Sequence, residues 1–415
     1  MPIGNNFQHA PYSRSDPGDR VLYRTAQPGA PPDSAAWLDA MGRLGARLGA
    51  AGVRIVVFLH GSLPASDLFG AQRLDEVGGL KRGYSRGIPG MEALLALMRQ
   101  ETNGVPALLH GKTPPFADDE TTRTALDEQV RDAGNFTRAY VDTFQKAVNR
   151  QASQPIVCHR ILWSSEHHHL GRALAARRLL EQLPALCLQQ KLGPGDRLLV
   201  QAHGHAGQLL ALISNLLAPV ESSGRRTFLQ ILSAYGTSEA RELEGRIEAG
   251  RVLNGAALDV VTFGAAVRYG WDPSGVGRLL HVVNHRPMRA DGKRWLAKTE
   301  LPQITMEMPI AWGGDYVQQL AVAGSDAATP ASPAGQSANK ALWELLEPYD
   351  GFERWLECAR KSVRCPADGQ CLLVDYQDST GSTNALDHFY GHAAYSRLSH
   401  LLFNTTEIVQ ALYST

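Results

Sequence analysis

The chain has no excess of charge of either sign. Its 415 residues include 41 Lys and Arg and 41 Asp and Glu, which gives a formal net charge of zero. Proteins that bind nucleic acids or anionic membranes usually carry clustered basic charge. The composition therefore predicts neither kind of partner, and it gives no indication of oligomeric state.

Long hydrophobic runs are also missing. No apolar run approaches the roughly 20 residues that span a bilayer, so no integral membrane segment is expected. The amino-terminal stretch MPIGNNFQHAPYSRSDPGDR is polar and rich in turn-forming residues. It lacks the charged and then apolar layout of a secretory signal, which predicts a cytoplasmic protein.

Cysteine is sparse. The five cysteines are Cys158, Cys187, Cys358, Cys365 and Cys371. An odd and sparse set argues against a disulfide framework and fits a reducing compartment. The last three lie close together but lack the CxxC spacing typical of zinc sites, so we expect buried or half-buried thiols. No cofactor is predicted.

Apolar runs and helical patterns alternate along the chain, whose hydrophobic content is 44%. Such alternation predicts an α/β fold with a mainly parallel sheet flanked by helices, and in such sheets ligands bind at the carboxyl ends of the strands. The runs predicted as strands are residues 52–62, 155–163, 197–202, 258–267, 278–286 and 371–377.

The strand pattern also predicts the domain organisation. Residues 1–50 are expected to form an irregular N-terminal extension and a helix, and residues 51–415 the α/β domain. Within that domain, residues 62–155 are more than a simple crossover requires, which predicts a helical cap insertion. The segment ATPASPAGQSAN, residues 328–339, is predicted to be an exposed flexible loop.

The segment DRLLVQAHGHAGQLLALISNLL predicts a strand, a tight turn and a helix. A nucleophile elbow needs small residues around the nucleophile, because its backbone is strained and the helix packs close to the strand. Ala202, Ala206 and Gly207 are small, and the nucleophile position falls on Gly204. A register shifted by two would place Ala206 there, but it would put Gln208 where a small residue is needed. The alternative interpretation is an ordinary glycine-rich turn.

Several segments together resemble the α/β-hydrolase superfamily, and within it a lipase- and esterase-like bacterial group. AHGHAG resembles the common form G-H-S-x-G-G, with the small residues Ala202 and Ala206 at two of its glycine positions and Gly204 at its serine position. VVFLHGS resembles the strand and His-Gly loop beside the oxyanion hole, and VVTFGAAV resembles the segment that follows the elbow. The resemblance implies the α/β-hydrolase fold and a small-molecule ester or lipid-like substrate. It implies oxyanion amides at Ser62 and His205, and an elbow and pocket lined by His60, Gly61, His203, Ala206 and Gly207.

A serine hydrolase also needs a histidine base and an acid that orients it. His392 lies in a glycine-flanked loop after the last predicted strand and is the preferred base, with His388 as the alternative. Asp375 is the preferred acid, because it ends a strand shortly before the histidine loop. Asp326 and Asp315 remain alternatives.

Glycine at the nucleophile position leaves three functional hypotheses open. The first is a carboxylic-ester hydrolase of the serine type whose nucleophile is replaced, as an inactivated variant or a natural pseudoenzyme. The second is a non-catalytic ligand-binding or scaffold protein on the same fold. The third is a His-dependent or metal-dependent enzyme without a covalent intermediate. Because consecutive helical residues point about 100° apart, His167, His168 and His169 are expected to cap a helix and line the cleft rather than bind a metal together.

Overall fold

The computed structural model describes residues 21–27, 29–61, 118–220, 222–234, 238–285, 314–315, 317–318, 329–346, 365–377 and 388–414. Within these ranges, one open sheet holds seven strands, and every neighbouring pair is parallel. The strands are β1 (Val21–Thr25), β2 (Val53–Leu59), β3 (Val157–Ile161), β4 (Arg197–His203), β5 (Ala257–Phe263), β6 (Arg278–Asn284) and β7 (Gln370–Asp375).

Helices connect the strands, as the alternating pattern predicts. None of those within the described ranges is both long and apolar enough to cross a membrane. The helices are α1 (Ala35–Ala50), α2 (Glu120–Val130), α3 (Arg138–Val148), α4 (His169–Gln189), α5 (Ala206–Leu217), α6 (Ser223–Ser233), α7 (Ser238–Glu248), α8 (Pro333–Leu346) and α9 (Leu401–Tyr413).

The sheet is covered by helices on both faces, which explains the continuous apolar runs in its strands. Successive side chains of a strand point to opposite faces. In β2, Val56 and Phe58 join the core formed with α1, α3 and α9, whereas Ile55 and Val57 join the core formed with α4, α5 and α8. All four side chains are fully buried. The predicted α/β architecture is confirmed.

The strand order places a topological switch point between β2 and β4. The spatial order is β1-β7-β6-β5-β4-β2-β3, so the chain runs outward from β2 to β3 and then returns to the other side of β2. Ligands in open α/β sheets bind outside the carboxyl ends of the strands at such a point. His60 and Gly61 follow β2 there, and Gly204 follows β4.

All six predicted strands are present, but the edge strand β1 was not expected. It lies in a segment predicted to be irregular and pairs with β7 along Val21–Thr25. Only Val21 of this strand is buried, which leaves too weak an apolar pattern for recognition from sequence. Because β1 is part of the sheet and α1 packs on it, residues 21–50 belong to the α/β unit rather than to a separate extension.

The described part of the expected cap covers the sheet instead. The Phe58 ring of β2 lies 5.2 Å from Phe136, 5.8 Å from Tyr140 and 5.3 Å from Phe144, measured between ring centroids. The interpretation of residues 62–155 as one cap insertion is therefore wrong for α3. Residues 62–117, the rest of the proposed cap, lie outside the described residues.

The loop expected at residues 328–339 is partly helical. Helix α8 begins at Pro333, and the Ser332 hydroxyl accepts a hydrogen bond from the Gly335 N–H at 3.0 Å. A serine before a helix satisfies one of the first-turn N–H groups, which have no partner within the helix. A proline at the first helical position has no N–H that would need a partner. The segment therefore starts a helix that packs against α4 and α6.

Two of the expected thiols form a disulfide. Cys365 and Cys371 are bonded, with their Cα atoms 6.1 Å apart. The turn before β7 brings the two residues within the distance that a disulfide spans. The expectation of thiols is thus wrong for this pair. Cys187 is a buried thiol and Cys158 a half-buried one.

Replacing Phe144 with alanine tests whether α3 belongs to the core of the sheet. The Phe144 side chain is fully buried, so Phe144→Ala is expected to lower the free energy of unfolding by about 3–5 kcal/mol in urea denaturation. Leu188→Ala, at a side chain that is 74% exposed, should change it by less than about 0.5 kcal/mol. Equal effects of the two substitutions would contradict the packing of α3 on the sheet.

Candidate functional site

Gly204 forms the sharp turn between β4 and α5. Its φ angle is +51°, in the left-handed region that glycine adopts without steric cost. Its N–H donates to the Phe263 carbonyl at 2.7 Å, and its own carbonyl accepts from the Gly207 N–H at 3.0 Å. A Cβ on Gly207 would lie 2.5 Å from the Ala265 side chain, so α5 packs as closely as the small residues predict.

The side chain of His392 faces this turn. A Cβ built on Gly204 would lie 2.6 Å from His392 Nε2 and 3.7 Å from Gly61 Cα. His392 follows a short 3-10 turn, Phe389–Gly391, and only 1% of it is exposed. The structure therefore brings together the predicted nucleophile position and the preferred base, which are distant in sequence.

Asp315 holds the other nitrogen of the same imidazole ring. The Asp315 carboxylate, through Oδ2, lies 2.6 Å from His392 Nδ1. An ionised carboxylate only accepts hydrogen bonds, so Nδ1 carries the proton and the neutral ring keeps a lone pair on Nε2. That lone pair is the one directed at Gly204.

The structure thus places Asp315, one of the alternative acids, against His392, and not the preferred Asp375. Asp375 ends β7, and its carboxylate accepts a hydrogen bond from the Gln377 N–H at 3.1 Å. Burial raises the pKa of Asp375, and that hydrogen bond lowers it in part. Asp326 lies outside the described residues. His388, the alternative base, is buried in the helical turn just before His392.

Sequence reasoning missed the groups that position Asp315. The Tyr395 hydroxyl donates to Asp315 Oδ2 at 2.7 Å, and the Gln318 N–H donates to Oδ1 at 2.8 Å. The Tyr395 oxygen itself accepts from the Asn284 N–H at 2.7 Å, which ties the acid to the end of β6. The Asp315 side chain, although fully buried, is therefore hydrogen-bonded at both oxygens.

Gly264 leaves room for the Asp315 carboxylate and the Tyr395 ring. Its φ angle is +60°, and a Cβ there would lie 2.5 Å from Asp315 Oδ2 and 2.7 Å from Tyr395 Cε2. The Asp315 carboxylate therefore requires a residue without a side chain at position 264, the glycine of the TFG segment. The segment was noticed only for its resemblance, and nothing local in the sequence indicates that contact.

His203 supports the His392 loop from beneath the turn. Its Nε2 lies 2.8 Å from the His392 carbonyl oxygen, so Nε2–H donates. Burial, and then the proximity of His392, lower the pKa of His203 well below its usual value, which keeps the ring neutral. A Cβ on Gly61 or Gly134 would lie 2.3 Å or 2.7 Å from that ring, so two glycines form its slot.

The loop after β2 is fixed by His60. His60 Nδ1–H donates to the Gly61 carbonyl at 2.9 Å, and Nε2 accepts from the Trp163 N–H at 3.1 Å. The Gly61 N–H donates to the Gly134 carbonyl at 3.0 Å, so it cannot serve an oxyanion. The predicted donor of this loop is Ser62, which lies outside the described residues.

His205 lies on the other side of Gly204. It occupies the N-cap position of α5, so its amide is at the positive end of the helix dipole, where an oxyanion would be favoured. Ala206 is the first residue of the helix and is fully buried. The His205 ring packs against His167, with centroids 4.5 Å apart.

The run of three histidines lies at the start of α4. His168 is its N-cap and accepts from the Gly171 N–H at 2.8 Å. His169 Nδ1 lies 2.7 Å from the Tyr269 hydroxyl. Within the residues that the structure describes, no group of three or more His, Cys, Asp or Glu side chains is arranged to hold a metal ion.

Replacing Gly61 with alanine tests the slot of His203. The new methyl group would meet the His203 ring at 2.3 Å, and overpacking of this kind costs about 1–3 kcal/mol of unfolding free energy. Gly193→Ala is the matched control, because a Cβ at that position has nothing within 4 Å. Urea denaturation of both variants gives the comparison, and a Gly61→Ala protein as stable as the control would rule out the slot.

Stability should also fall with acid because of His60. Burial, and to a smaller extent nearby Arg160, lower the pKa of His60 from 6.5 to about 4. The unfolded chain binds this proton near pH 6.5 and the folded chain only near pH 4. Between these values the unfolded state holds more protons, so the free energy of unfolding decreases as pH falls.

At pH 5 the expected loss from His60 is about 2 kcal/mol relative to pH 7.5, from about 1.4 kcal/mol per pKa unit. His60→Gln keeps an amide that can donate and accept but cannot titrate, so its unfolding free energy should fall less between these two pH values. Urea denaturation at both pH values measures the difference. Identical pH dependence in the two proteins would contradict a neutral, buried His60.

Comparison with known proteins gives no relative of this chain. No protein-family model, no curated protein and no solved structure matches it. Interpretation of the site therefore depends on the geometry of its own residues.

Proposed function

We propose that the chain is a lipase- or esterase-like protein of the α/β-hydrolase superfamily, with a site for a carboxylic ester or a related acyl compound. Gly204 takes the nucleophile position, His392 is the base and Asp315 is the acid. Their order along the chain is nucleophile position, acid, histidine, which is the order in that superfamily.

One observation carries the proposal. The bond from Gly204 Cα to a side chain would point at His392 Nε2, 2.6 Å from the Cβ position, while Asp315 holds Nδ1 of the same ring. A nucleophile activated by a base that a third group orients is the general arrangement of hydrolases with a catalytic triad. The positive φ of Gly204 at a strand–helix turn supports the same interpretation.

The position in the fold supports it independently. Gly204, Asp315 and His392 follow the carboxyl ends of β4, β6 and β7, and β4 borders the switch point of the sheet. Ligands of open α/β sheets bind at this location. A general base at this edge of the sheet is therefore placed where a substrate would be bound.

Glycine supplies no oxygen for covalent catalysis. The chain, as its sequence stands, is therefore proposed to receive the acyl compound without forming an acyl-enzyme. The absence of an acyl-enzyme distinguishes the chain from an active serine hydrolase. The missing hydroxyl is therefore the feature to restore by mutation.

Gly204→Ser is expected to create a serine that reacts with a fluorophosphonate probe, as detected by intact-protein mass spectrometry. The new Cβ requires the His392 ring to move back, since contacts of 2.6 Å are too short. Hydrolysis of p-nitrophenyl esters should rise by at least about 10²-fold, because loss of the nucleophile alone costs about as much as loss of a whole triad.

Two variants control this experiment. Gly193→Ser adds the same side chain at a position with nothing within 4 Å and should not react. Gly204→Ser combined with His392→Ala should lose both labelling and the gain in hydrolysis. A folded Gly204→Ser protein, checked by circular dichroism, that neither reacts nor gains activity would refute the assignment of the site.

A further inference from the structure

We propose that the His392–Asp315 pair hydrolyses acyl esters directly, by activating a water molecule, with no covalent intermediate. This inference depends on the proposed function and adds an activity to it. The substrate class is a carboxylic ester with a good leaving group, since direct attack by water lacks the assistance of a covalent step.

The tautomer of His392 supplies the base. The Asp315 carboxylate accepts a hydrogen bond from His392 Nδ1–H at 2.6 Å and another from the Tyr395 hydroxyl at 2.7 Å. Nε2 is then the atom that can take a proton, and residue 204 places no protein hydroxyl between it and a substrate. A water bound beside Nε2 is within reach of general-base catalysis.

The position of His392 and the glycine at 204 depend on each other. The ring is fixed by Asp315 at Nδ1, the His392 carbonyl by His203 at 2.8 Å, and the His392 N–H by the Phe389 carbonyl at 2.9 Å. Any Cβ at residue 204 would push against Nε2 at 2.6 Å. The base is thus placed closer to the turn than a serine would allow, which favours a small attacking molecule over a protein nucleophile.

The reaction balances without another reactant. Water attacks the ester carbonyl carbon and forms a carbon–oxygen bond as its proton passes to His392 Nε2, and the carbonyl electrons move to the oxyanion. The Asp315 carboxylate stabilises the imidazolium ion. The intermediate then collapses, the bond to the alcohol oxygen breaks, and the imidazolium returns the proton to the leaving alkoxide. The products are a carboxylic acid and an alcohol.

The test measures hydrolysis of p-nitrophenyl acetate and butyrate by the unmodified full-length chain. Residual acceleration in triads without a nucleophile is about 10³–10⁴-fold over water, and a similar value is expected here. The time course should show no initial burst, and mass spectrometry of quenched samples should show no acetylated or butyrylated protein. A burst with a matching acyl adduct would overturn direct hydrolysis.

Substitutions test which side chains take part in the proton transfer. His392→Ala should lower kcat by about 10²-fold or more, the usual contribution of a general base. Asp315→Asn should lower kcat and leave KM unchanged, because the amide can favour the other tautomer of His392 without removing a substrate contact. His159→Ala, at a half-buried histidine on the edge strand β3, should leave kcat unchanged. Activity that survives His392→Ala in a folded protein would overturn the inference.

A measurement of ligand binding distinguishes failure of this inference from failure of the proposed function. The ketone analogue of the butyrate ester cannot be hydrolysed, and calorimetry measures its affinity. Ketone binding and fluorophosphonate labelling of Gly204→Ser, without ester turnover by the unmodified chain, would overturn direct hydrolysis and leave the proposed acyl site in place. Absence of both ketone binding and labelling would overturn the proposed function itself.

Discussion

The site depends on one hydrogen bond, between His392 Nδ1 and the Asp315 carboxylate. Both side chains are almost completely buried, with 2% and 0% exposed. A carboxylate removed from water is costly unless its oxygens are hydrogen-bonded. Tyr395 and the Gln318 N–H provide those bonds, and Asn284 connects Tyr395 to the sheet. The Asp315 carboxylate is therefore connected through Tyr395 to the carboxyl end of β6.

Glycines provide the space for this arrangement. A Cβ on Gly61 would come within 3 Å of His203, and one on Gly204 or Gly264 would come that close to His392 or Asp315. The imidazole and carboxylate groups thus occupy volume that other side chains would fill at these turns. The glycines follow β2, β4 and β5, where the strands end. Gly204 and Gly264 also have positive φ angles, so at these two turns the backbone as well as the contacts requires glycine.

The sequence predicted six of the seven described strands because a sheet buried on both faces gives continuous apolar runs. It missed β1, in which only Val21 is buried. Gly204 and His392 were found from local pattern and order along the chain. Local pattern could not show which aspartate pairs with His392, since several aspartates follow strands. Asp315 contacts His392 and Tyr395, which are both distant from it in sequence. The Cys365–Cys371 disulfide depends similarly on a turn geometry that spacing alone does not show.

Loss of a nucleophile does not remove the rest of a triad, because the parts perform separate physical tasks. A serine divides acyl transfer into two covalent steps, whereas the histidine moves protons and the acid fixes its tautomer. In this chain, the contacts that fix the tautomer all lie on the Nδ1 side of His392, away from residue 204. None of these contacts involves an atom of residue 204. Under the proposed function, His392 can therefore transfer a proton although residue 204 carries no nucleophile.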